Sequence, residues 1–384
     1  MNLLCLILLS SILLSCNFDG AEPESDALSK QLLMDITIAE EDYAILLGNK
    51  LQNLTFPVGI QYNNTSYSGV IRSSGSRSRF AYRWSYRLVL DAGQRINNMN
   101  VFNLSAQKHD PTMLVTNLAS YYYKQAGFPS FEHNHIFLRI NGKDVGLRQM
   151  IEITNADFFE KRQLNVYELF KPGSLISFSF VKGDPNSLPN LSYDKKIPKD
   201  DNFYSIERLY YALDSGIIRN TDRATNNSVE QNLDIKQYLK YHAITSFINN
   251  HDAFTNNFFL WKATAMSPIK ILPWDFDWAF NSRRDTKLYG SNAIIQLLLK
   301  DKEMFELYKL ELESILINVD LEKDIFSIID SKAKEIEAAY QLDPFLSEIY
   351  NFEEEQAKLK AFITKREAYF IRELNDFVYE GDHD

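Results

Sequence analysis

The sequence predicts an α+β protein with a β-rich N-terminal half and a mainly helical C-terminal half. Two observations lead to this class. Apolar and polar residues alternate in several short runs between residues 31 and 180, which is the period of half-buried strands. From residue 203 onward, apolar residues recur at helical spacing, and no heptad is sustained long enough for a coiled coil. The length of 384 residues is enough for one large or two modest lobes.

The N-terminus is predicted to be a targeting segment. Residues 3–14 are almost entirely apolar, too short to cross a bilayer comfortably but long enough for the core of a signal peptide. The run ends in Leu-Leu-Ser before Cys16, the pattern at which bacterial lipoprotein signals are cleaved and the cysteine is lipidated. No Lys or Arg precedes the run, so an ordinary secretory signal that contains a cysteine is the alternative. We predict a signal peptide over 1–15, lipidation of Cys16 and an acidic tether over 16–30.

Charge and cysteine content narrow the function classes. Cys5 leaves with the predicted signal and Cys16 becomes the anchor, so no thiol remains for a disulfide. The net charge of −10 makes sequence-independent nucleic-acid binding a poor expectation. An acidic tether after a lipidated cysteine resembles the surface-export signals of Bacteroidetes-type lipoproteins. We therefore expect an extracytoplasmic protein that contacts the membrane through its lipid, at the outer membrane or surface of a Gram-negative bacterium.

The N-terminal half, residues 31–180, is predicted to contain most of the strands. Alternation predicts them over 34–38, 56–62, 67–72, 84–90 and 174–180. Asp110-Pro111 is expected to open a helix that stops at Gly127. Asn141-Gly142 between two apolar runs is the strongest short-range hairpin signal, and it joins strands over 135–140 and 143–153. Residues 154–170 are predicted to be helical.

The second half follows a polar stretch over 181–202, which is predicted to be a loop or the joint between lobes. Residues 203–384 would then form a helical lobe. Its predicted elements are a helix over 234–249, a loop over 250–256, strands over 257–261 and 269–274, and several amphipathic helices over 291–378.

The predicted loop and hairpin after residue 250 contain the candidate catalytic and metal-binding residues. Asp252 and Asn257 are five positions apart, the offset of the catalytic base and the metal-binding amide in protein kinases. Asp275 and Asp277 follow a strand, where they could bind Mg²⁺ through hard oxygen ligands. Asp252 could then accept the proton of an attacking hydroxyl. The competing interpretation is local, because Asp and Asn also cap helices and form turns.

The same segments resemble the CotH kinase family, secreted or surface-attached atypical kinases related to spore-coat CotH. The resemblance extends over roughly residues 32–375. It is carried by His251-Asp252 through Asn257 and by Pro273-Trp274-Asp275-Phe276-Asp277, which is similar to the family's Pro-Trp-Asp-Leu-Asp signature. Weaker matches are Asn141-Gly142 with the chain leading to Glu152, the segment before Asp110-Pro111, and the terminal helix with Arg366.

The resemblance implies an atypical protein-kinase-like two-lobed fold that uses ATP and Mg²⁺ or Mn²⁺ to phosphorylate Ser or Thr of a protein at the cell surface or in the periplasm. It implies Asp252 as the catalytic base, and Asp275 with Asn257 as metal ligands, joined by Asp277. Asn256 is the alternative to Asn257 if the register differs by one. Glu152 is a candidate acidic group near the nucleotide, or simply a polar residue at a strand end.

One departure from the family concerns the phosphate-binding lysine. The family has Arg-Gly-x-Ser-Ser followed by a strand with Lys, whereas Arg83 or Trp84 stands where that Lys is expected. Arg83 keeps the charge, and Arg77 and Arg79 in the preceding loop are further candidates for contacting phosphate, but arginine and lysine are not interchangeable. The alternative function is therefore a non-catalytic pseudokinase, serving as a surface scaffold or as a glycan-binding or adhesive lipoprotein.

Overall fold

The computed structural model describes residues 28–75, 77–173, 192–216, 218, 228–282, 286–290 and 292–379. The predicted signal peptide, Cys16 and nearly all of the tether lie outside these residues, as does the strand predicted over 174–180. The side chain of Arg77 is also outside the described part.

Seven strands of the N-terminal half close into a barrel in the order β1-β2-β3-β4-β5-β7-β6. They are β1 (Leu33–Thr37), β2 (Phe56–Tyr62), β3 (Thr65–Ser74), β4 (Ser85–Leu90), β5 (Val101–Ser105), β6 (His133–Ile140) and β7 (Lys143–Glu152). Neighbouring strands are antiparallel except β1 and β6, whose parallel pairing closes the barrel. Inward side chains such as Ile60, Leu88 and Leu104 form its apolar core. The predicted strand over 56–62 is confirmed in full, whereas helix α1 (Glu40–Gly48) was not predicted.

The predicted hairpin is confirmed as β6 and β7. Asn141 and Gly142 have φ of +49° and +74°, the left-handed conformation that a two-residue turn of this kind requires. The Asn141 side chain also fixes the neighbouring strand end, because its Oδ1 accepts from the Ile38 amide at 2.9 Å and its Nδ2 donates to the Ile38 carbonyl at 2.8 Å. The turn thus joins the hairpin to the chain that follows β1.

A second, four-stranded sheet has the order β11-β10-β8-β9. It contains β8 (Glu168–Pro172), β9 (Tyr193–Ile197), β10 (Phe258–Lys262) and β11 (Lys270–Pro273). Two predictions are corrected here. The helix expected over 154–170 is limited to α3 (Ala156–Lys161), and β9 lies inside the segment 181–202 that was expected to be a loop.

The pattern of β9 was hidden by a buried charge. Lys195 occupies an inward position in the strand and forms an ion pair with Glu168 of β8 at 3.1 Å. A lysine at an inward position breaks the apolar alternation by which strands are identified in sequence. The burial is made favourable by Glu168 on the neighbouring strand and by Asp200, whose Oδ1 lies 2.6 Å from the Lys195 Nζ.

Helices surround the second sheet and supply the larger apolar core. They are α2 (Val115–Gln125), α4 (Tyr204–Ser215), α5 (Val229–Asn232), α6 (Ile235–Phe247), α7 (Ala293–Leu298), α8 (Lys302–Asn318), α9 (Ser327–Leu342), α10 (Leu346–Ile349) and α11 (Phe352–Asn375). Helix α6 lies at the centre, packed against α8, α11 and β11. The α+β class is thus confirmed. Within the described ranges, none of the helices has the length and apolarity needed to cross a membrane.

Candidate active site

The loop that carries Asp252 is held by the end of α6. Buried Arg366 of α11 donates to the Ser246 carbonyl at 2.6 Å and to the Phe247 carbonyl at 3.2 Å, both in the last turn of α6. Asn249 follows with φ of +53°, and a short 3₁₀ turn spans His251–Phe254. A buried guanidinium thus fixes the point at which the loop leaves the helix.

Asp252 and Asn257 are brought together, as the spacing predicted. The Asn257 Nδ2 donates to the Asp252 Oδ2 at 3.0 Å, and Asn257 adopts a left-handed φ of +50°. Asn256 contacts Asp252 through its backbone amide, which donates to the Asp252 carbonyl at 2.9 Å. The structure therefore places the side chain of Asn257, rather than that of Asn256, against the Asp252 carboxylate.

Asp275 is the second residue after β11 and lies beside this loop. The Trp274 amide donates to the Asn257 carbonyl at 3.1 Å, and Asp275 has φ of +60°. This conformation is uncommon for a residue other than glycine and is concentrated at functional sites. The Trp274 ring packs against Phe131 and Phe259, with ring centroids 5.4 and 5.6 Å apart. Packing on both sides fixes the direction in which the chain presents Asp275.

Asp252, Asp275 and Asp277 form an acidic cluster. Desolvation raises the pKa of Asp277 well above its usual range, and the charges of Asp275, Asp110 and Asp252 raise it further. Desolvation also raises the pKa of Asp275. The charge of Lys171 acts to lower this pKa, and the charge of Asp252 acts to raise it. Asp275 still has a solvent-exposed side chain, since it lies at the open side of a cleft. Like charges held together in this way favour a bound cation.

The opposite wall of the cleft is the outer face of the barrel. Arg72, Arg87, Asn103 and Ile151 lie in register on β3, β4, β5 and β7, and inward residues such as Leu88 alternate with them. The Arg87 Nε donates to the Asn103 Oδ1 at 2.9 Å. The pKa of Arg87 is lowered to about 10, mainly by burial and also by the charges of Arg72 and Arg79.

Lys171 of β8 supplies a second cation. Burial lowers its pKa, whereas the charge of Asp275 acts to raise it. Among the described residues, neither Arg87 nor Lys171 forms an ion pair within 4 Å. Both line the cleft, which has a volume of about 140 Å³ and includes Asp275 and Asp277 on its acidic side. Asp252 and Asn257 do not line this volume. Arg87 therefore lies on the barrel wall of the cleft, whereas Lys171 lies in the same four-stranded sheet that leads to Asp275 and Asp277.

Arg83, a candidate phosphate contact, is not at the cleft. Its Nη2 lies 3.0 Å from the Asp343 Oδ2, and it donates to the Ala106 and Leu147 carbonyls. Asp343, at the end of α9, is fully buried and also accepts from the Leu147 amide at 2.7 Å. Arg83 precedes the first residue of β4, so the strand's alternation does not set its direction. The prediction is corrected: Arg83 joins the barrel to a helix.

Arg79 and Glu152 are likewise engaged away from the cleft. Arg79 donates to the Asn53 Oδ1 at 2.7 Å and to the Leu51 carbonyl at 3.0 Å, so it holds the loop before β2. Glu152 is buried in ion pairs with Lys161 and Arg162. Neither residue lines the cleft. Their predicted contact with nucleotide is therefore replaced by structural roles.

The basic residues of the cleft were missed by sequence reasoning. Arg87 could have been found from the alternation of β4, since Tyr86 and Leu88 point inward and Arg87 must point outward. Lys171 gave no such signal. The Lys-Pro-Gly sequence that contains it indicated a turn after a helix, whereas it lies in β8, paired in register with Asp194 of β9.

The acidic wall fits a magnesium or manganese ion. Asp275 and Asp277 provide two carboxylates that destabilise each other without a cation, and Asn257 can add an amide oxygen. No cluster of three or more His, Cys, Asp or Glu side chains in the described part of the chain has the arrangement of a metal site. Mg²⁺ does not require one, because it is held by one or two carboxylates while water and phosphate oxygens complete its shell. The two carboxylates and the amide are therefore a sufficient donor set.

Comparisons with known proteins identify the family to which the chain is similar. The family model described as "CotH kinase protein" matches residues 71–370. The inner spore coat protein H of Bacillus subtilis (strain 168) is 22% identical over 334 residues, covering 83% of this chain and 91% of that protein.

Two solved structures are also similar in shape. The HipA, HipB and operator DNA complex of Shewanella oneidensis MR-1 matches with a TM-score of 0.38 and 11% identity, covering 94% of this chain and 75% of that one. Golgi casein kinase with Mn/ADP bound matches with a TM-score of 0.34 and 10% identity, covering 93% and 76%. The family model covers most of the chain, including the whole acidic wall of the cleft, and the chain belongs to the CotH kinase protein family.

Proposed function

We propose that the protein is a phosphotransferase that moves the terminal phosphate of ATP to a Ser or Thr hydroxyl of a protein substrate. Membership of the CotH kinase family supports a kinase-like function. The observation that carries the proposal is the cleft itself. Arg87 of the barrel and Lys171 of the second sheet line the cleft together with Asp275 and Asp277, and the charge of Asp252 acts on both aspartates. A triphosphate with its metal is an anion and a cation together, which a cleft lined by both cations and carboxylates can bind.

Each side chain has a role that follows from its position. Arg87 and Lys171 bind phosphate oxygens, Arg87 with a planar fork and Lys171 as a point charge. Asp275, Asp277 and Asn257 would hold Mg²⁺ or Mn²⁺. When bound, the ion supplies charge neutralisation for the phosphates and keeps them in line. Asp252, oriented by the hydrogen bond from Asn257, accepts the proton of the acceptor hydroxyl as its oxygen attacks phosphorus.

The arrangement also bears on the non-catalytic alternative, a pseudokinase scaffold or adhesive lipoprotein. That alternative depended on the missing lysine, because a site without a basic group could not hold the phosphates. Arg83 was expected to provide the positive charge at the cleft, but it bonds to Asp343 instead. Arg87 and Lys171 provide positive charge there. We therefore favour the catalytic function.

The location proposed for this reaction is outside the cytoplasm. It rests on the sequence of the first 30 residues, whose apolar run and Cys16 have the pattern of a lipoprotein signal. The substrate would then be a protein of the cell surface or periplasm. Labelling with radioactive palmitate, in wild type and in a Cys16→Ser variant, tests the anchor directly: equal labelling of the two would contradict it.

Replacement of the proposed base tests the reaction. In Asp252→Ala, phosphate transfer from labelled ATP to a generic protein acceptor should fall by about a thousandfold or more, since a positioned base contributes roughly 10²–10⁴. Asp330→Ala is the matched control, because Asp330 is an exposed aspartate that forms an ion pair with Lys360, away from the cleft. Circular dichroism and the unfolding midpoint check that both variants fold. Transfer at wild-type rate by a folded Asp252→Ala protein would refute the assignment.

A further inference from the structure

A second cavity, of about 540 Å³, lies at the far end of the strands that form the cleft. Lys171 of β8 is in the cleft, and Tyr167 and Glu168, at the start of the same strand, line the cavity. Four residues of extended chain separate Tyr167 from Lys171, so the two sites are about 13 Å apart along the strand. The volume is within the range of small-molecule sites, roughly 300–1,000 Å³. The proposed phosphate transfer makes no use of this cavity.

The floor of the cavity is a chain of satisfied polar groups. The Ser205 Oγ donates to the Glu168 Oε2 at 2.6 Å, and the Lys262 Nζ donates to the Ser205 Oγ at 3.2 Å. The Lys195 Nζ lies 3.1 Å from the Glu168 Oε1 and 2.6 Å from the Asp200 Oδ1. These contacts pre-organise the floor, because each buried charge has a partner.

The charges around the cavity balance. The charged residues that line it are two cations, Lys262 and Arg208, and two carboxylates, Glu168 and Glu230. A cleft attracts charged ligands when one sign dominates its walls. Here neither sign does. The ligand that fits this cavity is therefore uncharged.

The rim of the cavity carries two exposed tyrosines. Tyr167 is 50% exposed and Tyr204 is 62% exposed. Both line the cavity, and each directly precedes in sequence one of the two residues joined by the Ser205–Glu168 hydrogen bond. The Arg208 guanidinium lies over the Tyr204 ring at 5.9 Å and limits the movement of that ring. Large aromatic side chains at a rim, outside the apolar core, are typical of binding surfaces.

The remaining lining side chains include the amides of Asn202, Gln231 and Asn232. An amide group both donates and accepts hydrogen bonds, as a sugar hydroxyl does. The carbon-bound hydrogens of a pyranose ring form an apolar face that packs on an aromatic ring. Balanced charge, two exposed tyrosines and amide side chains together match a neutral polyhydroxylated ligand. We propose that this cavity is a saccharide-binding site that takes a short neutral oligosaccharide, independently of nucleotide.

The test is binding of maltotriose, cellotriose, mannotriose and tri-N-acetylchitotriose to the purified full-length protein, without nucleotide, by saturation-transfer NMR and calorimetry. We expect at least one of them to bind. The Tyr167→Ala/Tyr204→Ala double variant should bind it at least about tenfold more weakly, because both stacking rings are lost. Both tyrosines are half-exposed or more, so their removal should leave the fold intact.

Two controls make the result decisive. Tyr350→Ala removes an exposed tyrosine that does not line the cavity, and Asp252→Ala alters the proposed catalytic base; neither should change sugar affinity. Failure of all four sugars to bind would overturn the proposal, as would undiminished binding by the double variant. A tryptic digest of casein is tested in parallel. If its peptides bind in a Tyr167- and Tyr204-dependent manner and no sugar does, the cavity is a peptide groove and the proposal is wrong.

Discussion

The protein uses charged residues in two opposite ways, in the Arg83–Asp343 clamp and in the active-site cleft. In the clamp, a guanidinium and a fully buried carboxylate lie 3.0 Å apart, and each also forms hydrogen bonds with backbone groups. In the cleft, Asp275 and Asp277 lie near Asp252, and Arg87 lies near other arginines.

The difference separates charges that stabilise the fold from charges that are kept for a ligand. Paired opposite charges are satisfied inside the protein and need no further partner. Grouped like charges raise the free energy of the folded state until an ion of opposite sign binds. Arg83 and Arg87 are four residues apart in sequence, yet they fall on opposite sides of this distinction. The predictions below test it from the largest expected effect to the smallest.

Breaking the clamp should have the largest effect, and on stability alone. Asp343→Ala leaves Arg83 buried without its carboxylate and removes the acceptor of the Leu147 amide, so the free energy of unfolding should fall by about 3–5 kcal/mol. Urea titration measures this change. Glu335→Ala is the control, because its partner Lys332 is exposed, and it should cost less than about 1 kcal/mol. A clear loss of ATP affinity in folded Asp343→Ala would contradict the division between clamp and cleft.

The buried acid beneath the cleft predicts a pH dependence. Burial raises the pKa of Asp110 to about 6, above its ordinary value of 3.8. The folded state therefore holds this proton more tightly than the unfolded state does. Stability should fall as pH rises from about 4 to about 6 and then level off, by up to about 3 kcal/mol. Urea titrations across this range compare wild type with Asp110→Asn, in which this part of the slope should be absent. Equal slopes would show that Asp110 does not titrate in this window.

Ligand binding should relieve the repulsion in the cleft. ATP with Mg²⁺ at a hundredfold excess over Kd should stabilise the folded state by about 2.7 kcal/mol, seen as a raised unfolding midpoint. In Asp275→Asn the shift should disappear, because a metal ligand is lost, while Asp330→Asn should keep it. Addition of EDTA should abolish the shift in wild type. A full shift in Asp275→Asn would remove this residue from the metal site.

Loss of one cation from the cleft should have the smallest effect. Arg87→Gln and Lys171→Gln should each weaken ATP binding about tenfold, close to 1.4 kcal/mol, with little change in stability. Arg95→Gln is the control for charge, because Arg95 is exposed and paired with Asp157 outside the cleft. Calorimetry with ATP and Mg²⁺ gives the three affinities. If Arg83→Gln, once folded, weakened ATP binding more than Arg87→Gln did, the corrected assignment would be wrong.

The sequence was most informative where structure is local. Alternation over 56–62 and the Asn141-Gly142 turn follow from interactions between near neighbours, and both were predicted. The proximity of Asp252 and Asn257 could also be predicted, because five residues of loop keep them close. The strand β9 could not be predicted, because the burial of its Lys195 depends on an ion pair with Glu168, which lies 27 positions earlier in the sequence.

What the sequence by itself determined is the α+β class, the acidic half of the cleft and the segment from which it comes. What only the tertiary structure decided is which cations face those acids. The closed barrel fixes the register of β3, β4 and β5, and that register, through pairings distant in sequence, turns Arg87 toward Asp275. Arg83, outside the strand, is instead directed to Asp343, 260 positions away. The sequence determines the charge of each side chain, but the folded barrel determines which partner that charge meets.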